Sequence, residues 1–195
     1  MHPTSLRGET LERFLERLAS TDPAPGGGGS AAIATAMAAA LVEMAAGLST
    51  DHVADAADIG AAAGDIRRRA LTLADDDATA YGRVIAAYRL PRDNDGDPDA
   101  RRREIREALE GATAVPLEIA GLAADAARLG SQLVAGGNPD LEGDAAAAVL
   151  LARAAARAAA RLVELNVEQG KLGGDWCDRA AAAVTRAETD RPSPH

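Results

Sequence analysis

The sequence predicts an all-α protein, a multi-helix bundle of long alanine-rich helices that self-associates. Three observations carry this. Alanine, the best helix former, fills 49 of 195 positions. The aromatic residues, which favour strands, are Phe14, Tyr81, Tyr88 and Trp176, only 2% of the chain. Prolines and glycines fall in clusters that separate runs of helical period, with no period-two alternation between them. Self-association follows from the same composition. Alanine faces pack closely but each buries little apolar area, so more of them must meet. Residues 145–160 form the clearest such face, and a homodimer or higher homo-oligomer is expected.

The elements follow in order. Over residues 10–19, Leu11, Phe14, Leu15 and Leu18 fall at i, i+3, i+4 and i+7, one helix face, with Glu12, Arg13, Glu16 and Arg17 outside it. Residues 21–30 hold two prolines and four glycines, a turn that no helix should cross. Residues 30–48 are almost all small or apolar, which marks a helix buried on most sides and the candidate for the central one. After a turn at 49–52 a long helix spans 54–88, closed by Leu90-Pro91 and followed by an acidic loop at 92–99. The next helix runs over 100–114, is kinked or divided at Pro116, and continues to 134. Gly136-Gly137-Asn138-Pro139 breaks the chain. Another alanine-rich helix covers 144–169, with Asp144 placed to cap it. Gly173-Gly174 forms a hinge, 175–188 is a last short helix, and 189–195 is a frayed tail. Residues 1–195 read as one domain.

Charge and cysteine usage exclude several function classes. A net charge of −9 argues against nucleic acid as a partner. All but one of the cations are arginine, Lys171 being the single lysine. A lone Cys177 forms no intramolecular disulfide and fits a reducing compartment. The first fifteen residues lack the pattern of a signal peptide. The apolar run at 31–42 is short of a membrane span and is followed by Glu43, so no membrane partner is expected and a cytoplasmic location is. His2, His52 and His195 are scattered. Asp93, Asp95, Asp97 and Glu104 match calcium-loop spacing but carry Pro98 where glycine is needed, so no metal and no prosthetic group is expected.

Three features carry chemistry. Gly26, Gly27, Gly28 and Gly29 stand directly before a helix, where N–H groups are unpaired and the dipole favours a negative group. They serve either a ligand that approaches the backbone or a simple turn. In Asp75-Asp76-Asp77 each residue turns about 100°, so the carboxylates diverge. Asp77 shares a stripe with Tyr81, Val84 and Tyr88 and should be partly buried, as an acid–base group or a structural hydrogen-bond acceptor. Asp75 and Asp76 should be solvated. Asn138 and Asp144 read as a turn residue and a cap.

These features occur in one order in a known family. The chain resembles the formimidoyltetrahydrofolate cyclodeaminase / methenyltetrahydrofolate cyclohydrolase family over nearly its whole length. The matching residues are Leu18-Ala19-Ser20, Pro23-Ala24-Pro25 with Gly26–Gly29, Ala74–Asp77 with Ala80-Tyr81, and Tyr88-Arg89-Leu90-Pro91. Further along they are Arg101, Ile105, Ala108-Leu109, Val115-Pro116-Leu117, and Gly137-Asn138 with Asp144 six residues on. The resemblance implies a self-associating helical fold with a tetrahydrofolate derivative as substrate. It implies Asp77 as the catalytic group, with Gly26, Gly27, Gly28, Gly29, Tyr81, Asn138 and Asp144 as substrate-binding residues. The four consecutive glycines look more like the cyclohydrolase branch than the cyclodeaminase branch. Two positions depart from the family pattern. Residues 49–55 carry no Lys or Arg, so any contact of that stretch with the anionic folate tail is either missing or moved to Arg83, Arg89 or Arg92. Leu162 stands where the first Asn of an Asn-Val-x-x-Asn motif ending at Asn166 would be. The alternatives are the deaminase reaction and a helical folate-binding or scaffold protein without turnover.

Overall fold

A computed structural model describes residues 5–91 and 99–189. His2 and His195, Arg92, the calcium-like positions 93–98 and the tail 190–195 lie outside the described residues. Among those described, six α-helices and two short 3-10 turns, Leu6–Gly8 and Pro139–Leu141, account for all regular structure. The helices are α1 (Leu11–Leu18), α2 (Gly27–Gly47), α3 (Ala56–Tyr88), α4 (Ala100–Gly136), α5 (Glu142–Gly170) and α6 (Trp176–Thr189). The all-α expectation holds.

Helix α2 packs against α3, α4 and α5, and α6 closes the far side against α4 and α5. The core is built mostly from alanine methyls, among them Ala32, Ala38, Ala39, Ala123, Ala127, Ala152 and Ala156, with Val42, Leu73 and Ile119 as larger fillers. Small side chains let these helices approach closely, which replaces large-residue burial with many short-range contacts. Helix α2 is long and apolar enough to cross a membrane, contrary to the shorter run expected, but more than half of that window is buried inside the protein. Its Glu43 is paired with Arg67 of α3 at 2.7 Å.

The structure corrects four expectations. The alanine face of 145–160 is not free for a partner copy: Ala145, Ala148, Ala152, Ala155, Ala156, Ala159 and Ala160 are buried within the protomer. The apolar stripe of α1 does not form a core face. Only Phe14 is buried, while Leu11 and Leu15 are 67% and 51% exposed. The glycine run is not wholly a turn, because Gly27, Gly28 and Gly29 form the first turn of α2 with Gly26 as N-cap. Pro116 does not divide α4. It lies buried inside one helix assigned from 100 to 136. A proline lacks the N–H that would bond the carbonyl four residues back, here Ala112. Asn166 of α5 supplies the missing donor, its Nδ2 lying 2.9 Å from the Ala112 carbonyl oxygen.

Candidate functional site

The site forms where α3 crosses the start of α2. Helix α2 opens on glycines, so its N-cap has no side chain to accept from the exposed N–H groups. Asp77, about two thirds of the way along α3, fills that role from outside α2: its Oδ2 accepts from the Gly29 N–H at 3.0 Å. The approach needs a glycine at one position above all. A methyl group on Gly28 would sit 2.0 Å from Asp77 Oδ1 and 2.3 Å from its Cγ. Gly26 has nothing within 4 Å of such a methyl, and Gly27 only Leu162 at 3.6 Å. The residue that approaches the glycine backbone is therefore a carboxylate of the same chain.

Burial pushes the Asp77 carboxyl above its ordinary value, and the Gly29 N–H partly offsets this. Asp77 lines a cavity of about 260 Å³ with Gly26, Gly27, Gly28, Tyr81, Ala112, Pro116, Leu162 and Asn166, closed on one side by Pro23 and Ala24. A second cavity of about 340 Å³ shares Tyr81, Ala112 and Asn166 with it and extends past Val84 and Leu109 to Tyr88, Arg89 and Gln169. The two adjoin at these shared residues as a groove, and the second is within the size range of small-molecule sites, roughly 300–1,000 Å³. At its far end the Tyr88 hydroxyl accepts from Gln169 Nε2 at 3.0 Å. A larger cavity, about 720 Å³, lies between α3 and α4. It holds Asp76, Glu104, Glu107 and Glu118 beside Arg69 and Arg83, and it lacks Asp77. Its acidic lining suits an anionic ligand poorly, so size does not make it the site.

The other aspartates of the run do not simply face water. Asp75 accepts from Ser5 Oγ and from the Leu6 N–H, both at 2.6 Å, and so ties down the first 3-10 turn. Asp76 Oδ2 accepts from Arg69 Nη1 at 3.3 Å, and Arg69 in turn holds Glu118 of α4 with two bonds.

Asn138 and Asp144 are not brought to Asp77. Asn138 sits by the opposite end of α2. Its N–H donates to Ser49 Oγ at 2.9 Å, its Nδ2 donates to the Leu48 carbonyl, and its Oδ1 accepts from the Asp140 N–H. Twenty-one residues of α2 separate the two ends, about 30 Å at 1.5 Å per residue. Asp144 is exposed and stands third in α5, whose N-cap is Leu141, so it faces the helix dipole without capping the helix. Asn166 lines the site although sequence reading assigned it no site role and marked it only as the end of the family's Asn-Val-x-x-Asn motif; nothing in the sequence showed that Pro116 stood opposite it.

Known proteins share this arrangement of helices and much of the sequence that builds it. The model of the formiminotransferase-cyclodeaminase family matches residues 10–184. A methenyltetrahydrofolate cyclohydrolase of Methylorubrum extorquens is 39% identical over 166 residues, 82% of this chain and 80% of that protein. The formimidoyltransferase-cyclodeaminase of Sus scrofa is 34% identical over 126 residues, which are 60% of this chain but 23% of that longer protein. Among solved structures, that of formiminotetrahydrofolate cyclodeaminase from Thermotoga maritima matches with a TM-score of 0.78. It covers 94% of this chain and 90% of that one at 24% identity, a likeness that shows the fold alone.

Proposed function

The chain belongs to the formiminotransferase-cyclodeaminase family, and from that premise we propose that it hydrolyses 5,10-methenyltetrahydrofolate to 10-formyltetrahydrofolate in the Asp77 groove. The observation that carries this is a half-buried carboxylate held at a helix start, facing a cavity otherwise lined mainly by apolar groups and backbone. The methenyl substrate carries a positive charge spread over N5, the bridging carbon and N10. An ionised Asp77 in low dielectric stabilises that cation more than water does. Water then attacks the bridging carbon, forming a C–O bond, and one of its protons passes to Asp77. The adduct opens as the C–N5 bond breaks and N5 takes a proton back from Asp77. The second water proton leaves to solvent as the formyl C=O forms. One carboxylate thus acts as base and then as acid.

The proposed binding residues are Gly26, Gly27, Gly28 and Tyr81, with Gly29 acting through its N–H on Asp77 and Arg89 in the second cavity for the anionic tail. Asn138 and Asp144 have no part in this site within one chain. The cyclodeaminase reading keeps the same groove and is favoured by the mammalian relatives and by the name of the family. The proposal uses a tetrahydrofolate derivative as substrate, invokes no resident cofactor, and goes with a cytoplasmic location. The test follows the loss of methenyltetrahydrofolate absorbance with purified protein against a buffer blank. Decay faster than the blank is expected. Decay equal to the blank, with ammonia released from formimidoyltetrahydrofolate, transfers the assignment to the deaminase.

Self-association belongs to the same proposal, on a different surface from the one the sequence suggested. Ile33, Met37, Leu41, Met44 and Leu48 form a stripe along α2, with Met37, Met44 and Leu48 52%, 41% and 58% exposed on a helix otherwise largely buried. A second copy covering this stripe removes an apolar patch from water. Sedimentation at micromolar concentration is expected to show a species heavier than the 19.9 kDa chain. The Met37→Glu/Met44→Glu variant is expected to sediment as the monomer. A wild-type monomer overturns the expectation.

A further inference from the structure

We propose that Asn166 binds the amide edge of the substrate's pterin ring, with its side chain oriented by the carbonyl that Pro116 leaves free; this rests on the folate reading above. An Asn side chain offers two N–H donors and one carbonyl acceptor. One donor is spent on the Ala112 carbonyl, 2.9 Å away. That carbonyl is available because residue 116, four positions on, is a proline without an N–H. The bond fixes which way the amide faces. The second N–H and Oδ1 stay open to a ligand, since Asn166 is half-buried at the junction of the two cavities and its one side-chain bond among the described residues is that to Ala112.

The groove therefore holds a fixed donor and acceptor side by side. Around them Leu162, Ala112 and Pro116 offer apolar walls, and the other polar side chains at this junction are Asp77 and Tyr81. Asp77 already accepts from Gly29 and faces the cationic centre. A planar heterocycle with its own neighbouring N–H and C=O is the complement of what Asn166 leaves open. The 2-amino-4-oxo edge of a pterin has that pattern. A site built to hydrogen-bond such an edge loses much more on removal of its partner than an apolar site does, because the groups left behind are desolvated.

The experiment measures binding of tetrahydrofolate by calorimetry, together with turnover and melting temperature. Asn166→Leu is expected to weaken tetrahydrofolate roughly tenfold or more. It also strips the Ala112 carbonyl of its partner, so lost stability alone could lower affinity. The Pro116→Ala/Asn166→Leu variant separates the two effects, with Pro116→Ala as its reference. The alanine introduced in place of Pro116 restores an N–H for the Ala112 carbonyl, and the melting temperature is expected to recover. If affinity stays low while stability returns, Asn166 contacts the ligand. If affinity returns with stability, or never falls, Asn166 only satisfies the helix and the proposal is overturned. Wild-type protein that neither binds tetrahydrofolate nor turns over a folate substrate overturns the parent reading instead.

Discussion

Replacing Asp77 by Asn is expected to leave the helices in place and lower kcat by roughly 10²–10⁴-fold, the range for a positioned acid–base group. Asn keeps the size of the side chain and an oxygen to accept from the Gly29 N–H. It carries no charge to set against the methenyl cation and cannot take the proton from water. Stability should move the other way. Burial raises the Asp77 pKa in the folded state, against the Gly29 hydrogen bond that lowers it. A raised carboxylate contributes stability that is fully present below the unfolded pKa and lost as pH rises through the folded one. At neutral pH the ionised group therefore costs stability, and Asp77→Asn is expected to melt at or above the wild-type temperature. The gap should close on acidification. The same shift places the acid limb of the pH–rate profile above the ordinary carboxylate value of 3.8. Asp76→Asn is the control, because Arg69 keeps its two bonds to Glu118 and turnover is expected to stay near wild type. A wild-type kcat in Asp77→Asn removes this carboxylate from the mechanism.

Gly28→Ala is expected to cost about 10²-fold in kcat, although it adds a single methyl. That methyl would lie 2.0 Å from Asp77 Oδ1, so the carboxylate must swing away and give up the Gly29 N–H. Gly143→Ala, at the start of α5 and outside the groove, meets nothing within 4 Å and is expected to behave as wild type. The two effects should not add: Gly28→Ala placed on Asp77→Asn is expected to lose little more turnover, since both act through one group. Steady-state kinetics of the four proteins checks this. A raised KM at unchanged kcat in Gly28→Ala means instead that Gly28 gives room to the ligand itself.

The long helices were legible because alanine content and Gly/Pro breaks are local signals, and α3 and α5 begin and end within two residues of where these place them. Gly27–Gly29 misled because glycine is a poor helix former. In place they are tolerated because α2 is buried against three helices and because the residue facing Gly28 requires the missing Cβ. Pro116 misled for a related reason: the donor that satisfies its helix comes from Asn166, fifty residues later and on another helix. The exposure of Leu11 and Leu15 was equally hidden, since periodicity says which side chains share a face but not what that face meets. Asp77 was legible through its stripe with Tyr81 and Val84. Asn138 and Asp144, grouped with it by family resemblance, are kept apart by the length of α2.

The three neighbouring aspartates of α3 also set the roll of that helix about its own axis. They leave it at bearings about 100° apart. Asp75 is moored to the Ser5 hydroxyl and the Leu6 N–H, Arg69 beside Asp76 is moored to Glu118 of α4, and Asp77 to the head of α2. Three moorings at divergent bearings act like guy-ropes on a mast, and together they resist rotation in either sense. The carboxylate is thus aimed by its neighbours before any substrate arrives. A one-residue insertion between Arg69 and Asp75 would turn every bearing by roughly a third of a revolution. It would point the reactive carboxylate at the wrong neighbour while leaving α3 fully helical, a lesion invisible to circular dichroism and complete in an activity assay.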